Sequence, residues 1–139
     1  MTKEVISAIS GNEYEAIIMN FANPDMVGHT GNLEAAIKAI ETIDTCLGEI
    51  RSVVREKNGT IFLTSDHGNL EMMVIAETGQ IHTAHTTLPV PLILDGCNGK
   101  YQLVDKGKLA DIAPTILDYL NIPKPNEMTG NSLLISSNG

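Results

Sequence analysis

Short apolar runs alternate with an amphipathic stretch in this chain, and this alternation constrains its fold more than any other feature. Residues 15–21 and 60–65 are mostly apolar and have the length of buried β-strands. Between them, residues 32–57 carry apolar side chains at steps of three and four, which predicts a long amphipathic helix. Strands joined by helices pair in parallel, and the helices cover the faces of the sheet. The pattern therefore predicts an α/β fold with a largely parallel sheet flanked by helices.

Four shorter elements are marked by Gly, Asn and Pro. They are a helix over residues 2–10, a strand over 72–75, a strand over 89–94 and a helix over 110–120. Gly11 should end the first helix, and Pro114 is tolerated in the first turns of the last. Pro89 and Pro91 indicate a strand at a sheet edge or a strand start. The chain of 139 residues is long enough to bury a core, and we expect a single domain over 1–139.

Charge and cysteine usage exclude some classes of function. The net charge is −8 and the sequence pI is about 4.8, whereas a nucleic-acid binder would carry a basic face. An anionic substrate stays open, because a bound divalent cation reverses the charge of a site locally. Cys46 and Cys97 show no CxxC spacing, which is typical of reduced cytosolic thiols. Neither a signal peptide nor an apolar run of membrane-spanning length is visible, so we expect a cytoplasmic protein without a membrane partner.

Polar residues that can bind metal gather at the predicted ends of strands. All four histidines of the chain are among them, together with two aspartates: Asp25, His29, Asp66, His67, His82 and His85. Ligands of α/β proteins bind at the carboxyl ends of parallel strands. This distribution therefore favours one site assembled from three loops.

The spacing within these groups points to metal chemistry. Asp25 and His29 lie four apart, so a turn or helix start can direct both to one cation. Mixed oxygen and nitrogen ligands suit Zn²⁺, Mn²⁺ or Fe rather than Ca²⁺. Asp66 and His67 are neighbours, and Gly68 supplies the backbone freedom that would turn both to one centre. Spacing alone predicts a two-metal hydrolase or transferase.

Each group also has an interpretation without metal. Asp25 alone could cap a helix or close an Asx-turn. His29 alone could be a hydrogen-bonded loop histidine, and Asp66-His67 a turn with a surface histidine. Ser65, which precedes Asp66, could act as a nucleophile, but a serine at a strand end is more often structural. The combination of the groups, rather than any one of them, favours the metal site.

Four motifs give the sequence a resemblance to a known family. They are NFANPDMVGHTGN, LTSDHGNLE, HTAHTTLPVPLIL and LADIAPTILDYLNIPKPNEMTGNSLL, in this order. The sequence resembles the C-terminal part of cofactor-independent (2,3-bisphosphoglycerate-independent) phosphoglycerate mutase, of the alkaline phosphatase superfamily, over essentially its whole length. Phosphopentomutases and sulfatases carry a related metal core but are not expected to carry NPDMVGHTG, and they rank lower.

The resemblance implies an activity and a set of ligands. The family interconverts 3-phosphoglycerate and 2-phosphoglycerate in glycolysis and gluconeogenesis, through a phosphoserine and two metal ions, typically Mn²⁺. By similarity, Asp25, His29 and His85 bind the first ion. Asp66 and His67 bind the second. His85 is preferred over His82, whose role stays open, because it matches the histidine of the AHT-x-x-P-V-P string.

The resemblance also implies that much of the family's machinery is missing. The nucleophilic serine, another aspartate ligand and the basic substrate-binding residues lie in family segments that have no counterpart here. We therefore expect a partial domain without a catalytic residue of its own, inactive alone. A stand-alone metal-dependent phosphatase and a structural or interaction remnant are the alternatives. A sheet edge left exposed would favour a homodimer.

Overall fold

The computed structural model describes residues 1–136 and contains four helices and four short strands over that range. The helices are α1 (Thr2–Gly11), α2 (Asn23–Gly28), α3 (Leu33–Glu56) and α4 (Ile112–Tyr119). The strands are β1 (Ile61–Thr64), β2 (Leu92–Asp95), β3 (Tyr101–Leu103) and β4 (Leu134–Ser136). Two 3₁₀ turns, Leu70–Met72 and Leu109–Asp111, complete the order. Helices and strands together form the α/β class that the sequence predicts.

The predicted helices form where the sequence carries their start and stop signals. The side chain of Asn32 accepts a hydrogen bond of 3.0 Å from the backbone N–H of Ala35, which caps α3. Asn12 and Asn58 adopt left-handed conformations, with φ of 54° and 55°, just beyond α1 and α3. The helix predicted over 110–120 begins as a 3₁₀ turn and continues as α4. These helices are confirmed, with boundaries shifted by a few residues.

The strands pair differently from the prediction. β1 and β2 are antiparallel, with Ile61 opposite Asp95 and Thr64 opposite Leu92. β3 and β4 are also antiparallel, so every strand pair within residues 1–136 is antiparallel. The predicted largely parallel sheet is therefore not found in this part of the chain. Within residues 1–136 no strand precedes helix α3, so α3 does not connect two parallel strands there.

The segment 15–21 was expected to be that earlier strand, and this expectation is wrong. The segment forms no strand, and it makes no backbone hydrogen bond within the part of the chain that the structure describes. Ile18 is 94% exposed. A strand needs a neighbour that satisfies its N–H and C=O groups, and no described segment is hydrogen-bonded to the backbone of this one.

The strands expected over 72–75 and 89–94 are shorter or displaced. Within 72–75 only Val74 forms a bridge, with Ile81, because Met72 belongs to a 3₁₀ turn. The strand after the prolines begins at Leu92, so Pro89 and Pro91 precede it and mark a strand start. β3 and β4 were not predicted, because each has only three residues.

The buried core of the described residues is small. Its apolar members are Ala36, Ile50, Met73 and Leu133. Thr115 is fully buried; its hydroxyl donates to the carbonyl oxygen of Asp111 at 2.6 Å and accepts from the N–H of Leu133 at 3.0 Å. This pair of hydrogen bonds ties the segment before β4 to the start of α4. None of the helices within residues 1–136 has the length and hydropathy needed to cross a membrane.

Candidate metal centre

Helix α2 places an aspartate and a histidine on one face. Pro24 starts this short helix, where its missing N–H costs nothing. Asp25 lies in the first turn, and His29 follows the last residue, with its N–H bonded to the Asp25 carbonyl at 3.2 Å. Residues one turn apart share a face of a helix, so the two side chains converge. Nε2 of His29 lies 3.4 Å from Oδ1 of Asp25.

A distant loop adds a third side chain to this pair. Nε2 of His85 lies 3.0 Å from Oδ1 of Asp25 and 3.2 Å from Nε2 of His29. Asp25, His29 and His85 thus present three potential ligand atoms within 4.8 Å of one another. We call these three residues the ligand cluster. They form the one group of three or more metal-binding side chains found within residues 1–136.

The ring of His29 is oriented by a backbone carbonyl. Nδ1 of His29 lies 2.6 Å from the carbonyl oxygen of Thr83, which can only accept a hydrogen bond. Nδ1 therefore carries the proton, and the lone pair is on Nε2, which faces Asp25 and His85. A histidine that binds metal has the same arrangement, in which the second nitrogen donates to a carbonyl or carboxylate.

Asn69 holds the carboxylate of Asp25 in place. Its Nδ2 donates to Oδ1 of Asp25 at 2.7 Å and is 3.4 Å from the Asp25 carbonyl oxygen. The hydrogen bond from Asn69 lowers the pKa of Asp25, and the nearby His29 and His85 lower it further. The carboxylate is therefore charged near neutral pH, as a metal ligand must be. Asn69 itself is only 5% exposed.

The donor set of the ligand cluster fits a divalent transition metal. One carboxylate oxygen and two imidazole nitrogens are ligands that Zn²⁺, Mn²⁺ and Fe²⁺ accept. The side chains of His29 and His85 are 45% and 47% exposed, so further coordination positions can be filled by water or by a ligand oxygen. Three protein ligands with open positions are typical of a catalytic rather than a structural metal site.

The chain also matches known metalloenzymes in sequence. The profile of the Metalloenzyme superfamily matches residues 1–124. The chain belongs to the Metalloenzyme superfamily. The α2 segment and the loops that carry all three members of the ligand cluster lie within that match.

Several relatives of this chain are named as members of the mutase family that its sequence motifs resemble. The chain is 55% identical over 134 residues to a 2,3-bisphosphoglycerate-independent phosphoglycerate mutase of Clostridium botulinum (strain ATCC 19397 / Type A), which covers 96% of this chain and 26% of the mutase. It is 53% identical over 135 residues to 2,3-bisphosphoglycerate-independent phosphoglycerate mutase 2 of Methanosarcina barkeri (strain Fusaro / DSM 804), covering 97% of this chain and 26% of that protein. The chain thus spans about a quarter of the length of these relatives.

A solved structure also matches this chain in its fold. The superfamily member superposes on phosphoglycerate mutase of Leishmania mexicana, crystallised at low cobalt concentration, with a TM-score of 0.88 and 29% sequence identity. The match covers 98% of this chain and 28% of the Leishmania chain. Over nearly its whole length this chain therefore has the fold of one part of a larger solved protein.

The second predicted ligand pair lies beside the ligand cluster without joining it. The ring of His67 stacks on that of His85, with centroids 3.6 Å apart and planes at 20°. Nε2 of His67 is 3.7 Å from Oδ2 of Asp66, whose side chain is 76% exposed. Asp66 and His67 thus offer two further ligand atoms at the edge of the cluster, open to solvent.

Two other candidates have other roles. The hydroxyl of Ser65 donates to the carbonyl oxygen of His67 at 2.6 Å, so it shapes the loop. His82 donates its backbone N–H to Met73 at 2.9 Å, and its buried Nδ1 has no hydrogen-bond partner within residues 1–136. Asn69 was not predicted to be a functional residue. Its position in the DHGN string, two residues after the predicted ligand His67, could have indicated it.

Proposed function

We propose that this chain is the metal-binding C-terminal portion of the alkaline-phosphatase-like domain of a 2,3-bisphosphoglycerate-independent phosphoglycerate mutase. The observation that carries the proposal is the ligand cluster, in which Asp25 and His29 of the α2 segment converge with His85 of a distant loop. The similarity to mutases of C. botulinum and M. barkeri along 96% and 97% of the chain supports it. The whole chain, residues 1–139, is one structural unit in this proposal, and the protein works in the cytoplasm.

The ligand cluster binds the first ion and the pair Asp66 and His67 contributes to a second. Mn²⁺ is our choice of metal, and the mixed donor set accepts other divalent ions as well. When bound, such ions would supply charge neutralisation for a phosphoryl group and stabilise the oxygens of an in-line displacement. In this chain Asn69 holds the Asp25 carboxylate, and the Thr83 carbonyl keeps the His29 Nε2 lone pair directed at the cluster.

The substrates of the proposed complete enzyme are 3-phosphoglycerate and 2-phosphoglycerate, and the isolated chain is inactive. Ser65, the serine next to the predicted ligands, uses its hydroxyl in a backbone hydrogen bond. Arg51 and Arg55 contact Asp95, at 2.8 Å and 3.0 Å, and so do not serve a substrate at the ligand cluster. The nucleophile and the basic residues that hold the substrate would have to come from other segments.

Metal analysis of variants tests the metal site. Purified wild-type protein, loaded with Mn²⁺ and desalted, should retain metal, whereas His29→Ala/His85→Ala should lose it. His82→Ala is the matched control, because it removes a histidine of the same loop that lies outside the ligand cluster. Equal metal content in the wild type and the double variant would refute the proposed site.

An enolase-coupled assay tests the activity. The 139-residue chain with Mn²⁺ and 3-phosphoglycerate should give no conversion above the buffer rate. Robust conversion would contradict the proposed inactivity, and Ser65→Ala would then show whether that hydroxyl is the nucleophile.

One observation favours a second candidate, a metal-dependent phosphatase that uses water. Both histidines of the ligand cluster are nearly half exposed, so a bound ion would be open to water. Hydrolysis of p-nitrophenyl phosphate that requires Mn²⁺ and disappears in His29→Ala/His85→Ala would favour this candidate. A rate equal in both proteins would exclude it.

We also propose a homodimer as the state of the isolated chain. β1 pairs only with β2 within the described residues, so its other edge is free. Free strand edges and exposed apolar segments promote association.

A further inference from the structure

The two loops that carry His67 and His85 are joined by one carboxylate. Glu71 accepts a hydrogen bond of 2.7 Å from the backbone N–H of Asn69 through Oε2, and its Oε1 accepts the hydroxyl of Thr86. Asn69 and Thr86 belong to different loops. The carboxylate of Glu71 therefore connects the loop after β1 with the loop that precedes β2.

Backbone contacts place this connection next to the predicted ligands. The N–H of Thr86 donates to the Gly68 carbonyl at 2.9 Å, and the two residues form an isolated antiparallel bridge. Gly68 directly follows His67, and Thr86 directly follows His85. The connection thus sets the register in which the rings of these two histidines stack.

The side chains of Glu71 and Thr86 fill the space beside Gly68, where the two loops meet. A Cβ atom on Gly68 would meet the Thr86 hydroxyl and lie 2.9 Å from Cδ of Glu71. Real Cβ atoms essentially never come that close to another atom. Glu71 is exposed, but two hydrogen bonds and close contact with Gly68 fix the position of its carboxylate.

The connection reaches the ligand cluster by two routes. On one side Glu71 holds the backbone of Asn69, whose side chain donates to the Asp25 carboxylate at 2.7 Å. On the other side it holds Thr86, the neighbour of His85. The ligand atoms of Asp25 and His85 lie 3.0 Å apart, so a small shift of either loop would open this distance.

We propose that Glu71 is a positioning residue for the metal centre, which fixes Asp25 and His85 relative to each other through Asn69 and Thr86. The inference rests on the proposed metal site. Glu71 contacts no reacting group and acts only through these two residues. Residues that orient metal ligands in this way change metal affinity by about 10- to 100-fold when they are removed.

Cobalt binding to the whole chain tests the proposal, because Co²⁺ alone reports its coordination by visible absorption. Glu71→Ala should raise the Kd for Co²⁺ by about 10- to 100-fold and change the shape of the spectrum. Glu71→Gln should restore most of the affinity, because its amide can accept from Asn69 and donate to Thr86. Glu77→Ala is the matched control, since Glu77 is an exposed glutamate in a nearby turn.

The outcomes separate this proposal from the proposed function. A wild type that binds Co²⁺, together with a Glu71→Ala variant of unchanged affinity and spectrum, would overturn the role of Glu71 and leave the metal site standing. A wild type that binds no Co²⁺ would overturn both. If Glu71→Ala fails to fold, Thr86→Val tests the role of Glu71 instead. About tenfold weaker Co²⁺ binding by this variant supports the proposal, and unchanged Co²⁺ binding overturns it.

A merely structural role would give a different pattern. In that case Glu71→Ala would lower the thermal midpoint of the metal-free protein, and the bound Co²⁺ would keep the wild-type spectrum. Thermal unfolding in the presence of a chelator is therefore measured beside each cobalt titration. A changed cobalt spectrum in a variant that is folded at the assay temperature is the result that assigns the positioning role.

Discussion

Gly28 packs so closely against Asn69 that a Cβ atom at position 28 would lie 2.7 Å from the Cγ atom of Asn69. The same atom would lie 2.8 Å from Cδ2 of Leu70. Asn69 is buried and holds the Asp25 carboxylate, so it has little room to move away. The glycine between Asp25 and His29 is thus needed for close packing, and not for a bend of the backbone.

We predict that Gly28→Ala weakens metal binding and lowers stability. The added methyl group must displace Asn69, which costs about 1–3 kcal/mol of overpacking and removes a hydrogen bond from Asp25. Metal affinity should fall by about tenfold or more. Urea unfolding of the metal-free protein and a Co²⁺ titration measure the two effects.

Gly48→Ala is the matched control for this substitution. Position 48 lies inside α3, and nothing lies within 4 Å of a Cβ atom built there. Alanine in a helix interior is favoured over glycine by about 0.5–1 kcal/mol, so this variant should be more stable than the wild type. Its cobalt affinity should not change. Equal cobalt affinity in Gly28→Ala and Gly48→Ala would contradict the packing argument.

The hydroxyl of Thr115 gives a second prediction, on stability alone. Thr115→Val keeps the shape of the side chain but leaves the buried N–H of Leu133 without its acceptor. An unsatisfied buried donor costs about 1–3 kcal/mol, and the free energy of unfolding in urea should fall by that amount. Thr42→Val is the control, because Thr42 is exposed and bonds only within α3. A loss for Thr115→Val no larger than the control would show that the hydrogen bond contributes nothing.

The sequence was informative where a pattern is local. The helix α3 follows from its three- and four-residue steps and its Asn32 cap, and the convergence of Asp25 and His29 follows from helical geometry. These signals need no knowledge of the rest of the protein. The prediction failed for 15–21, since an apolar run becomes a strand only when another segment pairs with it. Glu71 was missed for a similar reason: its partner Thr86 is close in space but distant in sequence.

The ion pairs of Asp95 give a prediction on pH dependence. Hydrogen bonds from Arg51 and Arg55 lower the pKa of Asp95 to about 2, whereas an aspartate in an unfolded chain has a pKa of about 3.9. A depressed pKa in the folded state stabilises the protein above the unfolded value, and this contribution is lost as the pH falls through the folded value. The Asp95 contribution should therefore be complete at neutral pH and disappear between about pH 4 and pH 2.

Urea midpoints of wild type and Asp95→Asn, measured from pH 7 to pH 2, check this expectation. The two midpoints should differ at pH 7 and approach each other below about pH 4. Asp105→Asn is the control, because Asp105 is an exposed aspartate away from the ion pairs of Asp95. A difference between wild type and Asp95→Asn that stays constant down to pH 2 would contradict the assignment.

Self-association of the isolated chain is the last prediction, and it follows from the apolar surface that the fold leaves open. Ile18 is 94% exposed on the unpaired segment 15–21, and Ile93 of β2 is 49% exposed. Helix α1 packs against α3, and the alternative is that it also covers segment 15–21 and leaves a monomer. A segment whose backbone N–H and C=O groups make no hydrogen bond within residues 1–136 can pair with a second copy of itself, and burial of its apolar side chains adds to the association. The net charge of −8 opposes unspecific aggregation but not a symmetric dimer.

Light scattering measures this self-association, and the mass of the wild type should rise toward that of a dimer as the protein concentration increases. Ile18→Asp should shift it to the monomer, while Asn98→Asp, which adds the same charge at an exposed turn, should not. A strictly monomeric wild type at every concentration, with cooperative unfolding, would show that the exposed segment needs no partner.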